Sequence, residues 1–579
     1  MKDGGIIIAK ALKAQGTTHL FTLCGGHISP ILVGAKQEGI AVIDTRQEPT
    51  AVFAADAYGR LTGIPGVAAV TAGPGVTNSI TAIKNAQMAE SPMILLGGAV
   101  ATILRGRGAL QDINQLDIMK PITKWTVRVE QDCDLVPVIE EAFVVARSGI
   151  PGPVFIELPI DLLYEEELVR KWYGFGPDAK KPSSIKGKII NWYLHRHVDK
   201  LFACASEPIE LSPGETIQPF KIQDKDIKQS VKLINEAKKP MLVIGSQAML
   251  RINNIELLVK AVEKIGIPTF LTGMARGLLG QDHPLYYRHR RSTAVKKADL
   301  LILAGMPLDF RMNYGRSINK AAKIININRD KSILTKNKKV NLGINADPST
   351  YLIELAAKLV GNNELEEWTE FLENENNRRE NEINKFATED TNYINPIHLL
   401  RKVNEYLDEN STIIGDGGDF VATVAYTVKP RKPLCWLDPG VFGTLGVGAG
   451  FALSSKLLRP DSEVWLFYGD GAAGYGLIEF DTFVRHDVPV IGIIGNDAGW
   501  TQITRDQVEY LHDDIGTVLE YNEYHEFARV VGAKGLLLDN ADDIDKILTE
   551  AKQYAKNGIP VLINAKIGKT DFRKGSISM

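Results

Sequence analysis

The chain has 579 residues, of which 44% are hydrophobic and 24% charged, and its formal net charge is −3. This length suggests three or four domains of ordinary size, and the near-neutral charge gives no electrostatic reason to expect nucleic-acid binding. No apolar run reaches the ~18 residues of a membrane-spanning helix, and the first residues lack the layout of a signal peptide. The four cysteines form neither a CxxC pair nor a metal-ligand spacing, so we expect reduced thiols in a cytosol-facing protein.

Apolar runs alternate with helical patterns in three blocks, which predicts an α/β protein with three doubly wound parallel-sheet domains. The blocks cover residues 1–165, 225–360 and 393–579, and Pro and Gly stand at the ends of their apolar runs. The runs interpreted as strands are 19–23, 41–44, 66–72, 93–98 and 153–159 in the first block, 241–246, 268–273, 299–305 and 323–328 in the second, and 411–418, 464–468, 488–494 and 560–568 in the third.

Two linkers separate these blocks. Residues 361–392 are highly charged and are typical of a solvated helix and connector. Residues 166–224 include an amphipathic segment, 185–205, whose aromatic and apolar side chains recur at helical spacing beside Lys and Arg. The recurring residues are Ile189, Trp192, Tyr193, His197, Leu201 and Phe202. Such a helix suits either peripheral contact with a membrane surface or packing across a domain or subunit surface, and we favour packing.

The first block places polar or flexible residues directly after its predicted strands. His27 follows two glycines after the first strand, and a lone histidine is more often structural than catalytic. Glu48 begins a predicted helix rich in small residues, where a carboxylate is often no more than a partner of the helix dipole. Gly73, Pro74 and Asn78 form a tight connection between the next strand and its helix. These residues are therefore candidates for one edge of a sheet.

Two neighbouring apolar runs of the third block also end in polar side chains. Asp470 stands in a Gly-Asp-Gly turn, and the second run ends in the pair Asn496 and Asp497. Open α/β sheets bind ligands at the carboxyl ends of their strands. Oxygen ligands from Asp and Asn suit Mg²⁺, which usually also takes phosphate oxygens, and glycines let the backbone approach a diphosphate.

This arrangement resembles the cofactor signature of thiamine-diphosphate enzymes, and the similarity runs in order through all three blocks. It implies pyrimidine-binding, central and diphosphate-binding domains, with thiamine diphosphate and Mg²⁺ as cofactors. Glu48 would hydrogen-bond N1′ of the aminopyrimidine, the carbonyl of Gly443 would accept the 4′-amino hydrogen, and Leu445 would support the bent cofactor. The residues implied at the cofactor are Glu48, Gly73, Pro74, Asn78, Asp419, Gly443, Leu445, Gly469, Gly471, Ala472 and Ala473. Those implied at the metal are Asp470 and Asp497, with Asn496 as the alternative to Asp497 and the Gly499 carbonyl as a third ligand.

Three positions depart from the family's usual pattern. Gln47 stands where relatives have His, Cys24 stands where they have Pro, and Asp497 replaces a metal-binding Asn. The family includes acetolactate synthase, oxalyl-CoA decarboxylase and 2-hydroxyacyl-CoA lyase. In it the active sites lie at subunit interfaces, so the resemblance implies a homodimer or homotetramer.

Several segments are most similar to the acetolactate-synthase-like 2-hydroxyacyl-CoA lyases, namely 107–117, 416–427, 436–448, 495–507 and 568–579. This similarity implies cleavage of a 2-hydroxyacyl-CoA to formyl-CoA and an aldehyde one carbon shorter. His27, Gln111 and the C-terminal tail, with Arg573 and Lys574, would be elements of the substrate pocket. The similarity further implies association with the endoplasmic reticulum membrane, because typical members carry an N-terminal anchor. This chain begins where their catalytic part begins.

Two alternatives stay open. Acetolactate synthase would join two 2-keto acids and hold a structural FAD in the central block. The turn at 243–249 lacks the glycines expected beside a dinucleotide, so FAD is not favoured. A non-catalytic paralogue would serve as a scaffold or regulatory subunit, but both Glu48 and Asp470 are present.

Overall fold

A computed structural model describes residues 3–175, 183–205, 208–214, 216–360 and 365–575. The chain forms two compact units, Met1–Gln218 and Pro219–Met579. The first unit contains one parallel sheet, and the second contains two.

The first unit is built on a six-stranded parallel sheet with the order β2-β1-β3-β4-β6-β5. Its strands are His19–Thr22 (β1), Ala41–Asp44 (β2), Gly66–Val70 (β3), Met93–Ala99 (β4), Trp125–Arg128 (β5) and Pro153–Pro159 (β6). Its helices are Gly4–Ala14 (α1), Ser29–Gln37 (α2), Glu48–Thr62 (α3), Pro74–Asn78 (α4), Ile80–Met88 (α5), Gln115–Met119 (α6), Leu135–Arg147 (α7), Glu166–Trp172 (α8) and Ile185–Leu201 (α9).

The second unit contains a five-stranded sheet, β11-β10-β9-β7-β8, and a six-stranded sheet, β13-β12-β14-β15-β17-β16. The first of these consists of Pro240–Ile244 (β7), Thr269–Leu271 (β8), Leu300–Ala304 (β9), Lys323–Asn328 (β10) and Leu342–Asn345 (β11). The second consists of Thr412–Gly415 (β12), Trp436–Leu437 (β13), Val464–Gly469 (β14), Ile491–Asn496 (β15), Lys534–Leu538 (β16) and Val561–Lys566 (β17).

Thirteen α-helices accompany these two sheets in the described residues of this unit. They are Asp224–Glu236 (α10), Ile255–Ile265 (α11), Arg291–Lys297 (α12), Pro348–Lys358 (α13), Glu366–Ala387 (α14), Pro396–Tyr406 (α15), Asp419–Thr427 (α16), Val447–Leu458 (α17), Asp470–Gly476 (α18), Phe480–Arg485 (α19), Thr501–Leu511 (α20), Tyr524–Val530 (α21) and Ile544–Lys556 (α22).

The prediction of three parallel α/β sheets is confirmed. Strands such as β4, β6 and β14 are buried along their whole length. Strands covered by helices on both faces have this property, which is why they read as continuous apolar runs. In each sheet the strand order reverses direction near the first strand, which opens a crevice at the carboxyl ends of the strands.

The expectation that all four cysteines are reduced is wrong for one pair. Cys133 and Cys204 form a disulfide, with their Cα atoms 5.3 Å apart and a sequence separation of 71. The long separation gives no local motif, and the fold alone brings the end of α9 beside the start of α7. Cys24 and Cys435 are free thiols, exposed and buried respectively.

Helix α9 confirms that the amphipathic segment is helical, but its predicted stripe combines two opposite faces. Leu201 is buried, whereas Trp192 and Tyr193 are 60% and 53% exposed. Among the residues that the structure describes, none of the helices combines the length and the apolar character that crossing a bilayer requires.

Candidate active site

The carboxyl-end edge of the first sheet brings Glu48 and Asn78 together. Glu48 follows β2 as the first residue of α3, and Asn78 ends the short helix α4 that follows β3. The Asn78 side-chain amide donates a hydrogen bond of 3.1 Å to Glu48 Oε2. Both side chains reach solvent, so the carboxylate is accessible to a ligand at this edge.

The Gly73 turn is held by a side chain that no sequence motif pointed to. Gly73 has φ of 62°, and a Cβ there would lie 2.9 Å from the carbonyl oxygen of Gln111, so glycine is required. Gln115 is buried; its Oε1 accepts a bond of 2.8 Å from the Gly73 amide, and its Nε2 donates one of 3.1 Å to Gly98 O. Gln115 therefore fixes the Gly73 turn against the end of β4.

His27 and Gln111 are neighbours at the same edge. His27 Nδ1 lies 3.3 Å from Thr71 Oγ1. Burial lowers the pKa of His27, and a hydrogen bond with Gln111 partly opposes that shift. A histidine with a lowered pKa is neutral near pH 7 and can accept a proton.

In the second unit, a cavity of about 770 Å³ lies at the carboxyl ends of β12, β14 and β15. Most of the residues proposed from sequence line it: Asp419, Gly443, Leu445, Gly469, Asp470, Gly471, Ala472, Asp497 and Gly499. Ala473 and Asn496 are not among the lining residues. The cavity therefore collects residues from three strand ends that are distant in sequence.

Three carboxylates, those of Asp419, Asp470 and Asp497, line this cavity. Burial raises the pKa of Asp470 to about 6, and burial together with the charge of Asp470 raises that of Asp497 to about 7. Asp470 Oδ2 accepts a bond of 3.0 Å from the Gly499 amide. Asp419 pairs with Arg505 at 2.9 Å, while its other oxygen is buried without a hydrogen bond. Buried carboxylates whose ionisation is opposed in this way suit a bound divalent cation, which would offset the cost of burying their charge.

Asn496 is occupied by a different network. Its side-chain amide donates to Asn522 O at 3.2 Å and to Asn564 Oδ1 at 3.1 Å, and the residue is completely buried. These bonds connect β15 to β17 and to the segment before α21. Asp497, the next residue, lines the cavity instead.

Two glycines in the cavity wall lie directly against neighbouring side chains. A Cβ on Gly471 would lie 2.7 Å from the ring of Trp500, and a Cβ on Gly417 would lie 2.1 Å from Leu445 Cδ2. A Cβ at either position would require the neighbouring side chain to move. The indole therefore packs on the Gly-Asp-Gly turn, and the Leu445 side chain is seated against the end of β12.

The sequence pattern of residues 415–420 pointed to Asp419 and not to Asp416. Asp416 is buried, and its two carboxylate oxygens accept bonds from the amides of Gly446 at 2.9 Å and Gly448 at 2.7 Å. These amides belong to the start of α17, where backbone N–H groups lack helical partners. Burial raises the pKa of Asp416 to about 7. Asp416 thus fixes the loop that carries Gly443 and Leu445.

Part of the cavity wall is cationic, with Arg276, Arg291 and Arg311 among the lining residues. Arg311 pairs with Asp309 at 2.6 Å, whereas in the part of the chain that the structure describes no carboxylate pairs with Arg276 or Arg291. Arg276 lies over the ring of Trp436 at 4.9 Å. Burial, followed by the charges of Arg276 and Arg311, lowers the pKa of Arg291 to about 10. This wall suits an anionic ligand.

These features define a class of α/β enzyme that binds a diphosphate cofactor at the carboxyl ends of parallel strands. Three family models match the chain: the thiamine pyrophosphate enzyme N-terminal TPP binding domain at residues 2–118, the central domain at 227–355 and the C-terminal TPP binding domain at 416–565. The chain belongs to the thiamine pyrophosphate enzyme family, and the resemblance seen in its sequence is confirmed.

Named relatives extend this similarity over the whole chain. The 2-hydroxyacyl-CoA lyase 2 of Danio rerio is 49% identical over 585 residues, covering 100% of this chain and 94% of the relative. That of Homo sapiens is 48% identical over 586 residues, covering 100% and 92%. A probable acetolactate synthase of Mycobacterium bovis is 30% identical over 562 residues, covering 97% and 95%. The lyases are thus clearly more similar to this chain than the synthase is.

Proposed function

We propose that the chain is a thiamine-diphosphate-dependent lyase that cleaves a 2-hydroxyacyl-CoA into formyl-CoA and an aldehyde one carbon shorter. The observation that carries the proposal is the 48–49% identity, over the full chain, to proteins named 2-hydroxyacyl-CoA lyase 2. The cationic part of the cavity wall supports it, since an acyl-CoA carries several phosphate charges.

For the metal, we propose Mg²⁺ held by Asp470, Asp497 and the carbonyl of Gly499. The donors are hard oxygens, as Mg²⁺ prefers, and the two carboxylates line one cavity. Asn496 is a weaker candidate because its amide already joins β15 to β17. The glycine-rich turn that includes Gly469 and Gly471 supports an approach of the diphosphate to the backbone.

When bound, thiamine diphosphate supplies an electron sink for the carbanion left by carbon–carbon cleavage. The chain's own residues would do the rest. Glu48 would hold a proton at the pyrimidine ring, with Asn78 orienting its carboxylate. The Gly443 carbonyl and the Leu445 side chain would fix the pyrimidine, and Asp416 would keep their loop in place.

On the substrate, we propose that His27 takes the proton of the 2-hydroxyl group, oriented by Gln111. The 2-hydroxyl oxygen then becomes the aldehyde oxygen as the C1–C2 bond breaks, and the C1 fragment gains a proton and leaves as formyl-CoA. Arg276 and Arg291 would bind anionic parts of the CoA, and Arg573 and Lys574 remain further candidates for its phosphates.

The finer points of assembly and location are also proposals. Glu48 and Asp470 belong to different compact units, and the family resemblance supports a homo-oligomer in which one chain supplies Glu48 and its partner supplies Asp470. We retain 1–165, 225–360 and 393–579 as proposed domain boundaries. The resemblance favours a cytosol-facing enzyme at the endoplasmic reticulum, whereas a disulfide is typical of oxidising compartments. Thiol titration of protein taken from its native cells decides between them.

The test of the activity is direct. Purified enzyme with thiamine diphosphate and Mg²⁺ is given a 2-hydroxyacyl-CoA or, separately, pyruvate, and the products are identified by mass spectrometry. We expect formyl-CoA and the shortened aldehyde, with turnover falling ~100-fold or more in Glu48→Gln. Glu38→Gln, a partly buried carboxylate of the same unit, is the matched control. Acetolactate from pyruvate, with no aldehyde from the thioester, would favour the synthase instead, and a yellow protein would indicate FAD.

A further inference from the structure

Helix α9 turns a set of large apolar side chains away from the unit that carries it. Ile185, Ile189 and Trp192 are 80%, 60% and 60% exposed, and Tyr193 is 53% exposed. They recur at intervals of four and three residues, so they share one face of the helix. Large apolar side chains grouped this way mark an interaction surface, unlike single exposed residues scattered over a protein.

The opposite face of α9 is firmly attached. Val198 and Leu201 are buried in the first unit. His197 Nε2 lies 2.8 Å from Thr102 Oγ1, and Asp199 accepts a bond of 2.7 Å from Arg170. Just beyond the helix, Cys204 is joined to Cys133 by the disulfide. These contacts fix the orientation of α9 on the first unit, so its apolar face points away from that unit.

The outward side is also cationic. The helix carries Lys186, Lys188, Arg196 and Lys200, and its one carboxylate, Asp199, is already paired with Arg170. The guanidinium of Arg196 lies 5.7 Å from the ring centroid of Trp192. Lysine and arginine can place their aliphatic stems along an apolar surface while keeping the charge in a polar layer.

We propose that this face of α9 docks on an anionic lipid bilayer, with the helix lying in the plane of the headgroups. Trp and Tyr prefer the boundary between headgroups and acyl chains, and the flanking cations complement anionic headgroups. A second copy of the chain fits less well. A two-fold contact between identical faces would place like charges against each other, and the core of a protein interface is normally depleted of lysine.

The experiment uses the full chain and needs no catalysis, so it is independent of the proposed activity. Flotation is measured with vesicles of phosphatidylcholine alone and with vesicles that also contain the anionic lipid phosphatidylserine. We expect binding to the anionic vesicles, weakened about 10-fold or more in Ile189→Glu/Trp192→Glu and in Lys186→Gln/Lys188→Gln. The control is Val530→Glu, because Val530 is 84% exposed at the end of α21 in the other unit.

Size-exclusion chromatography of the same variants tests the alternative that a second copy of the chain covers this face of α9. A change of oligomeric state in Ile189→Glu/Trp192→Glu, without vesicle binding by the unaltered chain, overturns the proposal in favour of a subunit contact. Equal binding by the unaltered chain and both α9 variants overturns it as well. The lysine variant keeps the proposal testable if the glutamate variant fails to fold, which circular dichroism reports.

Discussion

The disulfide between Cys133 and Cys204 should contribute strongly to the stability of the first unit. It closes a loop of 71 residues. In the chain-entropy account, a crosslink of that span removes about 4 kcal/mol of unfolded-state freedom at 25 °C. We therefore expect Cys133→Ala/Cys204→Ala to destabilise residues 1–218 by as much as about 4 kcal/mol, or ~10³-fold in the unfolding equilibrium.

The measurement must be local, because a chain of several domains does not unfold in one step. Hydrogen–deuterium exchange of peptides from α7 and α9, followed over a series of urea concentrations, reports the opening of the elements that the disulfide joins. The double variant should exchange faster in both helices. A reductant should have the same effect on the unaltered chain and no further effect on the variant.

Cys24→Ala is the matched control, since Cys24 is an exposed free thiol of the same unit. The reasoning fails if the double variant and the control protect α7 and α9 equally. It also fails if thiol titration of the oxidised, unfolded chain finds all four cysteines free.

Three other perturbations test the site and the core. Asp416→Asn leaves one of two buried amides without an acceptor, so thiamine diphosphate should bind ~10-fold or more weakly in a fluorescence titration; unchanged affinity contradicts its role in holding the loop. Gly471→Ala forces a Cβ to within 2.7 Å of the Trp500 ring and should cost about 1–3 kcal/mol, seen as a lower melting temperature, whereas equal melting would show that the ring moves freely. Burial opposes ionisation of Glu380, but hydrogen bonds from His289 and Arg401 outweigh this effect and lower the pKa of Glu380. The ionised Glu380 therefore stabilises the fold above the unfolded pKa of ~4.3, and this stabilisation is lost as pH falls below that value. Glu380→Gln should lower the free energy of unfolding at pH ~7, and the difference from the unaltered chain should disappear in acid. A difference in unfolding free energy that does not change with pH would refute this.

The sequence predicts the interior of each sheet better than its edges. All four strands that it misses, β5, β11, β13 and β16, lie at the edge of a sheet. An edge strand pairs on one side and is often partly exposed, as β5 is along its whole length, so it lacks a continuous apolar run. The buried central strands were recognised because helices on both faces require apolar side chains at every position.

In the candidate site as well, a sequence pattern indicates some residues and not others. Asp470 and Asp497 were recognisable because side chains at the ends of neighbouring parallel strands must meet. Gln115 and Asp416 were not, since each acts on backbone amides far away in sequence. The disulfide was not predicted either, because its two cysteines are also far apart in sequence. Arg276 and Arg291 were not predicted, because a linear pattern does not show which cations line a cavity.

The contacts of Asp416 have a consequence for anyone who redesigns this enzyme. The loop with Gly443 and Leu445 is bonded to the end of β12 by a carboxylate, and Leu445 fills the space beside Gly417 that a Cβ would need. The segments 415–418 and 443–448 therefore depend on each other structurally. Grafting either from a homologue without the other leaves a buried charge facing the wrong amides, so chimeras should exchange both at once.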